Sequence, residues 1–87
     1  RWKDVGSWPS YGETLEPDGH ENRANCPTLH LDSRRVLAVS DDPSHTITTI
    51  GLDDVIVVRT ADATLVCQAS QAERVKEIAG KVSKTLA

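Results

Sequence analysis

Val55-Ile56-Val57-Val58, an unbroken run of four β-branched apolar residues, is the most informative stretch of this sequence. A strand with one face in water alternates apolar and polar residues, whereas a continuous apolar run is typical of a strand buried on both faces. We therefore predict that residues 55–58 form a central strand with packing on both sides.

Four further segments around this run have the composition of strands. They are rich in β-branched or alternating apolar residues, and Asp, Ser, Pro or Gly, which favour turns, separate them. The predicted strands cover residues 28–31, 36–39, 46–50 and 63–67. Five strands at a spacing of roughly 8–12 residues indicate a small all-β unit. Spacing alone leaves a sandwich, a barrel and a solenoid as alternatives.

The segment after the strands has the pattern of an amphipathic helix. Ser70 and Glu73 have the spacing of a capping box with Ser70 as the N-cap, and apolar residues then recur at steps of three and four. These residues are Ala72, Val75, Ile78, Ala79, Val82 and Leu86. We predict a helix of about four turns that packs on the strands. A close backbone contact is expected at Gly80, to offset its low helix propensity.

The N-terminal segment predicts a second helix, over residues 8–16, with Ser7 as its N-cap. It must end there because Pro17 restricts the residue before it. The apolar side of this helix would consist of Trp8, Tyr11 and Leu15. The following residues predict a turn in which Gly19 adopts a positive φ angle.

Length, composition and charge limit the classes of function. The chain has 87 residues, of which 38% are hydrophobic, with no Phe, so its core is small and a surface for another domain or subunit is expected. The net charge of -3, without any basic block, argues against nucleic-acid binding. No apolar run approaches the roughly 20 residues that cross a membrane, which predicts a soluble, cytoplasmic protein. Because the sequence has no Met and begins with Arg1, we expect either a removed leader or a start within a longer protein.

The residue types that usually carry chemistry are dispersed along the chain. The histidines have no metal-ligand spacing and are expected to be exposed or singly hydrogen-bonded, and the two cysteines are expected to stay reduced as small apolar residues. These residues are His20, His30, His45, Cys26 and Cys67. The acidic doublets at residues 41–42 and 53–54 fall in predicted turns, for which Asp is well suited.

One cluster, Trp2-Lys3-Asp4-Val5-Gly6-Ser7-Trp8, combines residues that can serve a charged ligand. Asp4 can ligate a hard cation such as Mg²⁺, and Gly6 lets a ligand approach the backbone. The start of the predicted helix favours anionic oxygen. The alternative is that Asp4 merely caps the helix.

The same cluster resembles the motif that closes the catalytic domain of mannose-1-phosphate guanylyltransferases, a family of sugar-phosphate nucleotidyltransferases. The resemblance continues through Asn22 and Asp32-Ser33-Arg34-Arg35 to residues 50–66, IGLDDVIVVRTADATLV, and then to Val75-Lys76. It covers nearly the whole chain. Arg35 stands where the family usually has Asn at a sharp turn, and Cys26-Pro27 lies where a first rung of its fold is expected.

The resemblance implies a mainly β fold with helices. Its centre is a short left-handed parallel β-helix-like unit, which a helical segment precedes and the C-terminal amphipathic helix closes. Residues 1–23 would be the end of the catalytic domain and a linker helix, residues 24–69 the β-helix-like domain, and residues 70–87 the C-terminal helix. Because the β unit is associated with subunit contacts in this family, a homo-oligomer is expected.

The resemblance also implies a reaction, in which GTP and mannose 1-phosphate give GDP-mannose and pyrophosphate with Mg²⁺ as cofactor. Asp4 matches the carboxylate that helps to hold Mg²⁺, and Val5, Gly6 and Ser7 would lie near the substrate. An N-terminal nucleotide-binding domain would supply the other groups, so the 87 residues alone are expected to be inactive. Two alternatives remain: a stand-alone interaction module, and the tail of a related nucleotidyltransferase with a different sugar or nucleotide.

Overall fold

A computed structural model of the chain describes residues 8–86, which form six strands, two α-helices and one 3-10 helix. In chain order the elements are α1 (Trp8–Gly12), β1 (Arg23–Ala24), β2 (Thr28–Leu31), β3 (Leu37–Ser40), β4 (Ile47–Ile50), β5 (Val55–Arg59), β6 (Thr64–Gln68), the 3-10 helix (Ala69–Arg74) and α2 (Val75–Leu86). No helix in this part of the chain has the length and apolar character needed to span a lipid bilayer.

The chain winds between two sheets. Strands β1, β3 and β5 pair in parallel in sheet A, and β6 joins that sheet by antiparallel pairing with β5. Strands β2 and β4 pair in parallel as sheet B. Because β1 to β5 alternate between the sheets, one strand of sheet A and one of sheet B make one rung of a parallel β-helix. The β-helix prediction is therefore confirmed, and the sandwich and barrel alternatives are excluded.

The rungs follow a repeat of 19 residues. Residue 28 pairs with 47, residue 34 with 53 and residue 37 with 56. The first rung is shorter, since Arg23 pairs with Leu37. It nevertheless forms, with Pro27 at its turn accepting a hydrogen bond from the amide of Ile47 (3.0 Å).

Residues with a positive φ angle build the corners of the coil. At one corner they are Glu21 (64°), Arg35 (52°) and Asp54 (59°), and at another they are Asp32 (52°) and Gly51 (68°). Within each corner these residues are one rung apart, so every rung contains a left-handed position that costs a non-glycine residue about 1 kcal/mol or more. Arg35 does occupy a sharp turn, where it forms an ion pair with Asp53.

The predicted positive φ angle at Gly19 is wrong, because Glu21 takes that conformation instead. The carboxylate of Asp18 accepts hydrogen bonds from the amides of His20 (2.8 Å) and Asn22 (2.9 Å). These two bonds fold the loop around Asp18, and the residue with the positive φ angle is then Glu21, at the corner of the coil.

Within sheet A, β5 is buried on both faces, as residues 55–58 predict, whereas the edge strand β6 alternates buried and exposed residues. The inner face of sheet A and sheet B enclose a core inside the coil, and the outer face of sheet A forms a second core beneath the helices. The inner core contains Val36, Ala38, Ile47, Val55 and Val57. The outer core contains Leu37, Ile56, Val58, Leu65, Ala72 and Val75. Sheet B is buried on its inner face alone, so β4 alternates buried and exposed residues.

The first helix is shorter than predicted, since α1 ends at Gly12. The hydroxyl of Thr14 donates to the carbonyl of Tyr11 (2.6 Å), and the amide of Leu15 donates to Gly12 (3.0 Å). These bonds between residues three apart replace the α-helical pattern. Trp8 and Leu15 pack on the outer core as predicted, whereas Tyr11 is exposed.

The C-terminal helix does not begin with the predicted capping box. Gln68 occupies the N-cap position of the 3-10 helix and makes no capping hydrogen bond with its side chain. The amide of Ala69 donates to the carbonyl of Asp54 (2.8 Å). That bond ties the first turn to the end of the coil before Ser70 is reached, so Ser70 and Glu73 lie inside the 3-10 helix.

The apolar face of the C-terminal helical region packs on the coil at its beginning and less further on. Ala72 and Val75 are buried, whereas Ile78 is 46% exposed. The predicted backbone contact at Gly80 is wrong for the part of the chain that the structure describes, since a Cβ atom placed there would have no neighbour within 4 Å beyond the backbone of its own helix. The first turns therefore pack against the outer core, and the following turns are more exposed.

Candidate functional site

The predicted metal ligand Asp4 and the predicted substrate-proximal residues Val5, Gly6 and Ser7 lie outside the described residues. The N-cap prediction for Ser7 lies there as well. The described structure begins at Trp8, which is the last residue of that cluster and the first residue of α1.

Helix α1 lies against the outer face of sheet A. Trp8 is the first residue of α1, and Leu15 follows three residues after its end. Both side chains are half-buried and pack on the outer core. Gly12 is buried, and a Cβ atom at this position would lie 3.2 Å from both methyl carbons of Leu37. A glycine therefore lets the backbone of α1 approach the sheet closely.

Arg23 joins the coil to the end of α1. Its backbone amide donates to the carbonyl of Val36 (2.9 Å), which places it in the sheet A ladder. Its guanidinium Nη1 donates to the carbonyls of Gly12 (3.2 Å) and Leu15 (3.1 Å). Carbonyls at a helix C-terminus lack partners within the helix, and a cation is favourable there. Arg23 therefore caps α1 from the first strand of the coil.

A cavity of about 320 Å³ lies between α1 and the ends of β3 and β5. Trp8 and Tyr11 form one side of this cavity, and Arg59 and Asp41 form part of the other. The guanidinium of Arg59 lies 3.3 Å from the carboxylate of Asp41, which also accepts the amide of Ala61 (3.2 Å). The two charges compensate each other, so the cavity offers aromatic and polar surface without a net charge from this pair.

Asn22 connects the first rung to the second from inside the coil. Its amide nitrogen donates to Asp18 (3.1 Å) and to the carbonyl of Ser33 (3.0 Å), and its amide oxygen accepts the backbone amide of Val36 (3.0 Å). Burial alone would raise the pKa of Asp18, but the hydrogen bonds from the amides of Asn22 and His20 outweigh it and lower the pKa. The carboxylate of Asp18 thus accepts three hydrogen bonds, which hold the loop before β1.

Asn25, which follows β1, also connects the first rung to the second. Its side chain donates to the carbonyl of Ser40 (3.0 Å) and accepts the amide of Ser40 (2.8 Å). Neither β1 nor these roles of Asn22 and Asn25 were predicted from the sequence. The two asparagines flanking the two-residue strand were the available signal, since a side-chain amide can replace a missing backbone partner.

His30 takes part in a hydrogen-bonded chain inside the coil. Its Nδ1 lies 2.6 Å from the hydroxyl of Thr49, which donates to Ser33 (2.7 Å). Nε2 of His30 is buried without a hydrogen-bond partner among residues 8–86. A singly hydrogen-bonded histidine was predicted here, and His20 and His45 are exposed as predicted.

The acidic doublets lie in turns, as predicted. Asp42 accepts the amide (2.9 Å) and hydroxyl (2.7 Å) of Ser44, and these hydrogen bonds lower its pKa. Within residues 8–86, no group of three His, Cys, Asp or Glu side chains is arranged to hold a metal ion. The doublets therefore shape corners of the coil.

The two cysteines are free thiols that pack against different cores. Cys26 packs against the core inside the coil, and Cys67 packs against the outer core. Burial raises the pKa of both thiols, which keeps them in the unreactive protonated form at neutral pH.

These features define a class: a short parallel β-helix domain that carries packed helical segments on the outer face of one sheet. The roles of the described residues are structural, because they contribute bridges, corners and caps. The chain belongs to the mannose-P isomerase/GMP-like β-helix domain family, whose model matches residues 28–82.

Individual relatives lead to the same family. The chain is 36% identical over 81 residues to the xanthan biosynthesis protein XanB of Xanthomonas campestris, covering 93% of this chain and 17% of that protein. It is 31% identical over 83 residues to the mannose-1-phosphate guanylyltransferase ManC of Salmonella typhimurium, covering 93% of this chain and 16% of that protein. The chain thus spans about a sixth of these relatives and corresponds to their C-terminal part.

A solved structure has the same fold. It is the crystal structure of a mannose-1-phosphate geranyltransferase from Thermus thermophilus, which superposes with a TM-score of 0.72 at 23% sequence identity. The superposition covers 92% of this chain and 24% of that protein. At this identity the comparison establishes the fold.

Proposed function

We propose that the chain is the C-terminal β-helix part of a nucleotidyltransferase that forms GDP-mannose and pyrophosphate from GTP and mannose 1-phosphate. The observation that carries the proposal is the similarity over 93% of the chain to a protein named mannose-1-phosphate guanylyltransferase. The chain corresponds to 16% of that relative, so the reaction is assigned to the longer protein. We place that protein in the cytoplasm.

The proposal divides the work between two parts of the enzyme. An N-terminal domain would bind GTP, and Asp4 would contribute one carboxylate to a Mg²⁺ site next to the sugar phosphate. Bound Mg²⁺ would neutralise the negative charge of the phosphates. Val5, Gly6 and Ser7 would lie beside the substrate. The 87 residues alone would hold one of the groups needed and would not catalyse the reaction.

We also propose that the enzyme is a homo-oligomer that uses the outer face of sheet B. Leu29, Leu31 and Ile50 are 67%, 63% and 74% exposed on this face. The pairing of β2 with β4 places Leu31 beside Ile50 and Leu29 beside Thr48. Neighbouring exposed apolar side chains of this kind are typical of a contact surface.

The catalytic proposal is tested by assaying the full-length protein with GTP, mannose 1-phosphate and Mg²⁺. We expect pyrophosphate and GDP-mannose in equal amounts, and no product from the 87-residue chain alone. Parallel reactions with ATP or UTP, and with glucose 1-phosphate, test the alternative of a related enzyme. Faster turnover with another pair of substrates would replace the proposed reaction, and turnover by the 87-residue chain would contradict the division of work.

The oligomer proposal is tested by sedimentation velocity of full-length variants. We expect Ile50→Ser to shift the protein towards the monomer, because it places a polar group on the apolar contact. Thr48→Ser, an exposed position on the same strand, is the matched control and should sediment like the wild type. A monomeric wild type at micromolar concentration, or an unchanged Ile50→Ser variant, would rule out this contact.

A further inference from the structure

We propose that the free edge of β4 is an assembly edge, at which β4 of a second copy of the chain pairs in antiparallel orientation about a twofold axis. The inference rests on the homo-oligomer proposed above and deepens it, because it names the strand and the kind of pairing. Three observations carry it: the unequal numbers of strands in the two sheets, the exposure of Val66 and the uncharged composition of β4.

Sheet B lacks the strand that would complete a third rung. Among residues 8–86, sheet A contains four strands and sheet B contains two, because the chain returns after β5 as β6 of sheet A. Strand β4 pairs with β2 on one side, and its other edge has no strand partner in this part of the chain. Since β3 and β4 belong to one rung, β5 and β6 extend sheet A beyond the last strand of sheet B.

The exposure of Val66 marks the place of the missing strand. In the antiparallel pair of β5 and β6, Val66 lies opposite Val57, so both side chains are on the same face of sheet A. Val57 is 7% exposed and belongs to the core inside the coil, whereas Val66 is 61% exposed. The inner face of sheet A is therefore covered as far as β5 and uncovered at β6. A strand added beside β4 would extend sheet B over this uncovered part.

The backbone of β4 offers hydrogen-bonding groups at its free edge. The amide of Ile47 donates to the carbonyl of Pro27 (3.0 Å), across the pairing with β2. Because the backbone groups of successive residues point to alternate edges of a strand, those of Thr48 and Ile50 face away from β2. Each of these two residues therefore has one N–H and one C=O group that a further strand can pair.

The composition of β4 favours a second copy as the partner. Proteins usually protect a free edge with charged residues, proline or a bulge, and the strand from Ile47 to Ile50 has none of these. Residues 46–52 contain no charged side chain, so two copies can meet here without opposing like charges, although each has a net charge of -3. A twofold axis lets each copy give and receive the same hydrogen bonds, and it closes the assembly.

The pairing would also account for the exposed apolar side chains of sheet B. With Thr49 on the axis, Thr48 lies opposite Ile50 of the second copy, and β-branched residues pair favourably at such positions. The two copies of sheet B would then form one sheet of four strands. Its outer face would carry both copies of Leu31 and Ile50 in one continuous apolar band, and the added strand would cover Val66.

The experiment measures the mass of full-length variants by sedimentation velocity. Thr48→Pro removes an N–H at the free edge and leaves the bonds between β4 and β2 in place, since proline is tolerated where the N–H faces solvent. We expect it to halve the mass of the sedimenting particle. Thr48→Val keeps the N–H and a β-branched side chain, so it is the matched control and should sediment like the wild type.

A second pair of variants tests the surface that the added strand would cover. Val66→Glu places a charge on that surface at a position that is exposed in the single chain, so we expect the fold to persist and the mass to halve. Ile78→Glu makes the same kind of change at an exposed apolar residue of α2 and should keep the wild-type mass. Hydrogen exchange at the amide of Ile50 should be faster in Val66→Glu than in Ile78→Glu, because the pairing protects this amide.

The outcomes separate this inference from the proposed oligomer. Wild-type mass in both Thr48→Pro and Val66→Glu would overturn the edge pairing and leave the contact tested by Ile50→Ser standing. A monomeric wild type with slow exchange at Ile50 would show that another part of the longer protein covers the edge, which overturns the second copy as partner. A monomeric wild type with fast exchange would overturn both proposals. Circular dichroism identifies a variant that has lost its fold, and if Thr48→Pro has done so, Val66→Glu decides.

Discussion

Sheets A and B of the coil are made from similar residues but have different surroundings. In sheet A, β5 is buried on both faces, between the core inside the coil and the core beneath the helices. In sheet B, β4 alternates buried and exposed residues, and Ile50 remains 74% exposed. The difference shows that the fold uses the apolar residues of β5 completely, whereas those on the outer face of sheet B are available for contacts outside the chain.

The largest expected effect is a difference in the free energy of unfolding between matched substitutions in sheet A and sheet B. Ile56 in β5 is 2% exposed, so Ile56→Ala should lower the free energy of unfolding by about 2–5 kcal/mol through lost packing and a cavity. Ile50→Ala makes the same chemical change in sheet B and should lower the free energy of unfolding of the monomeric chain by less than about 0.5 kcal/mol. Urea denaturation of the purified chain measures both. Similar losses in the two variants would contradict the described contrast.

The next largest loss of stability is expected where asparagine side chains connect the first rung to the second. Asn22→Ala should destabilise the chain by about 2–3 kcal/mol, because it leaves the amide of Val36 and the carbonyl of Ser33 without partners in a buried site. Asn25→Ala removes two bonds to Ser40 at a more exposed position, and we expect a loss of about 1 kcal/mol. Thermal unfolding should rank the two variants in this order. An equal or reversed ranking would show that the first rung does not depend on Asn22.

A stabilising effect is expected at the exposed Gly80 of α2. Gly80 lies in the interior of α2, and among the described residues an added Cβ atom would contact nothing within 4 Å beyond the backbone of its own helix. Gly80→Ala should therefore raise the free energy of unfolding by up to about 1 kcal/mol through helix propensity. A loss of stability, measured by urea denaturation, would indicate a contact at this face that the described structure does not contain.

The smallest effect is pH-dependent and concerns Asp18 in the loop before β1. Because hydrogen bonds lower the pKa of Asp18 in the folded state, its stabilising contribution is complete above the unfolded pKa of about 3.9 and is lost as the pH falls through the lower folded pKa. Asp18→Asn should be less stable at pH 7 by less than about 1 kcal/mol, since Asp18 is exposed. Its stability should also fall less steeply than that of the wild type below about pH 4. Parallel curves for the two proteins would show that Asp18 carries no acid sensitivity.

Local patterns predicted most of sheet A and sheet B. The strands at residues 28–31 and 55–58 were predicted correctly because their patterns of β-branched and alternating apolar residues are visible within a few consecutive positions. Strand β1 was missed because two residues are too few to form a pattern. The start of the C-terminal helical region was predicted wrongly because a bond between Asp54 and Ala69, which are distant in sequence, determines it.

The candidate site was less predictable than the fold. The sequence pointed to Asp4 through its spacing from Gly6 and through the family resemblance, but it gave no indication of Arg23. Long-range bonds from Arg23 to Gly12 and Leu15 depend on how the first rung meets α1. Such contacts arise from the three-dimensional arrangement of short elements, which periodicity does not encode.

The most direct test of the account is the rate of pyrophosphate release by the full-length enzyme carrying Asp4→Asn, with GTP, mannose 1-phosphate and Mg²⁺ at saturation. The account predicts a fall in kcat of roughly 10²-fold or more, because one carboxylate at the proposed metal site loses its charge. Asp42→Asn, which changes a carboxylate in an exposed turn of the coil, should retain the wild-type rate. Wild-type turnover by the Asp4→Asn enzyme would contradict the account.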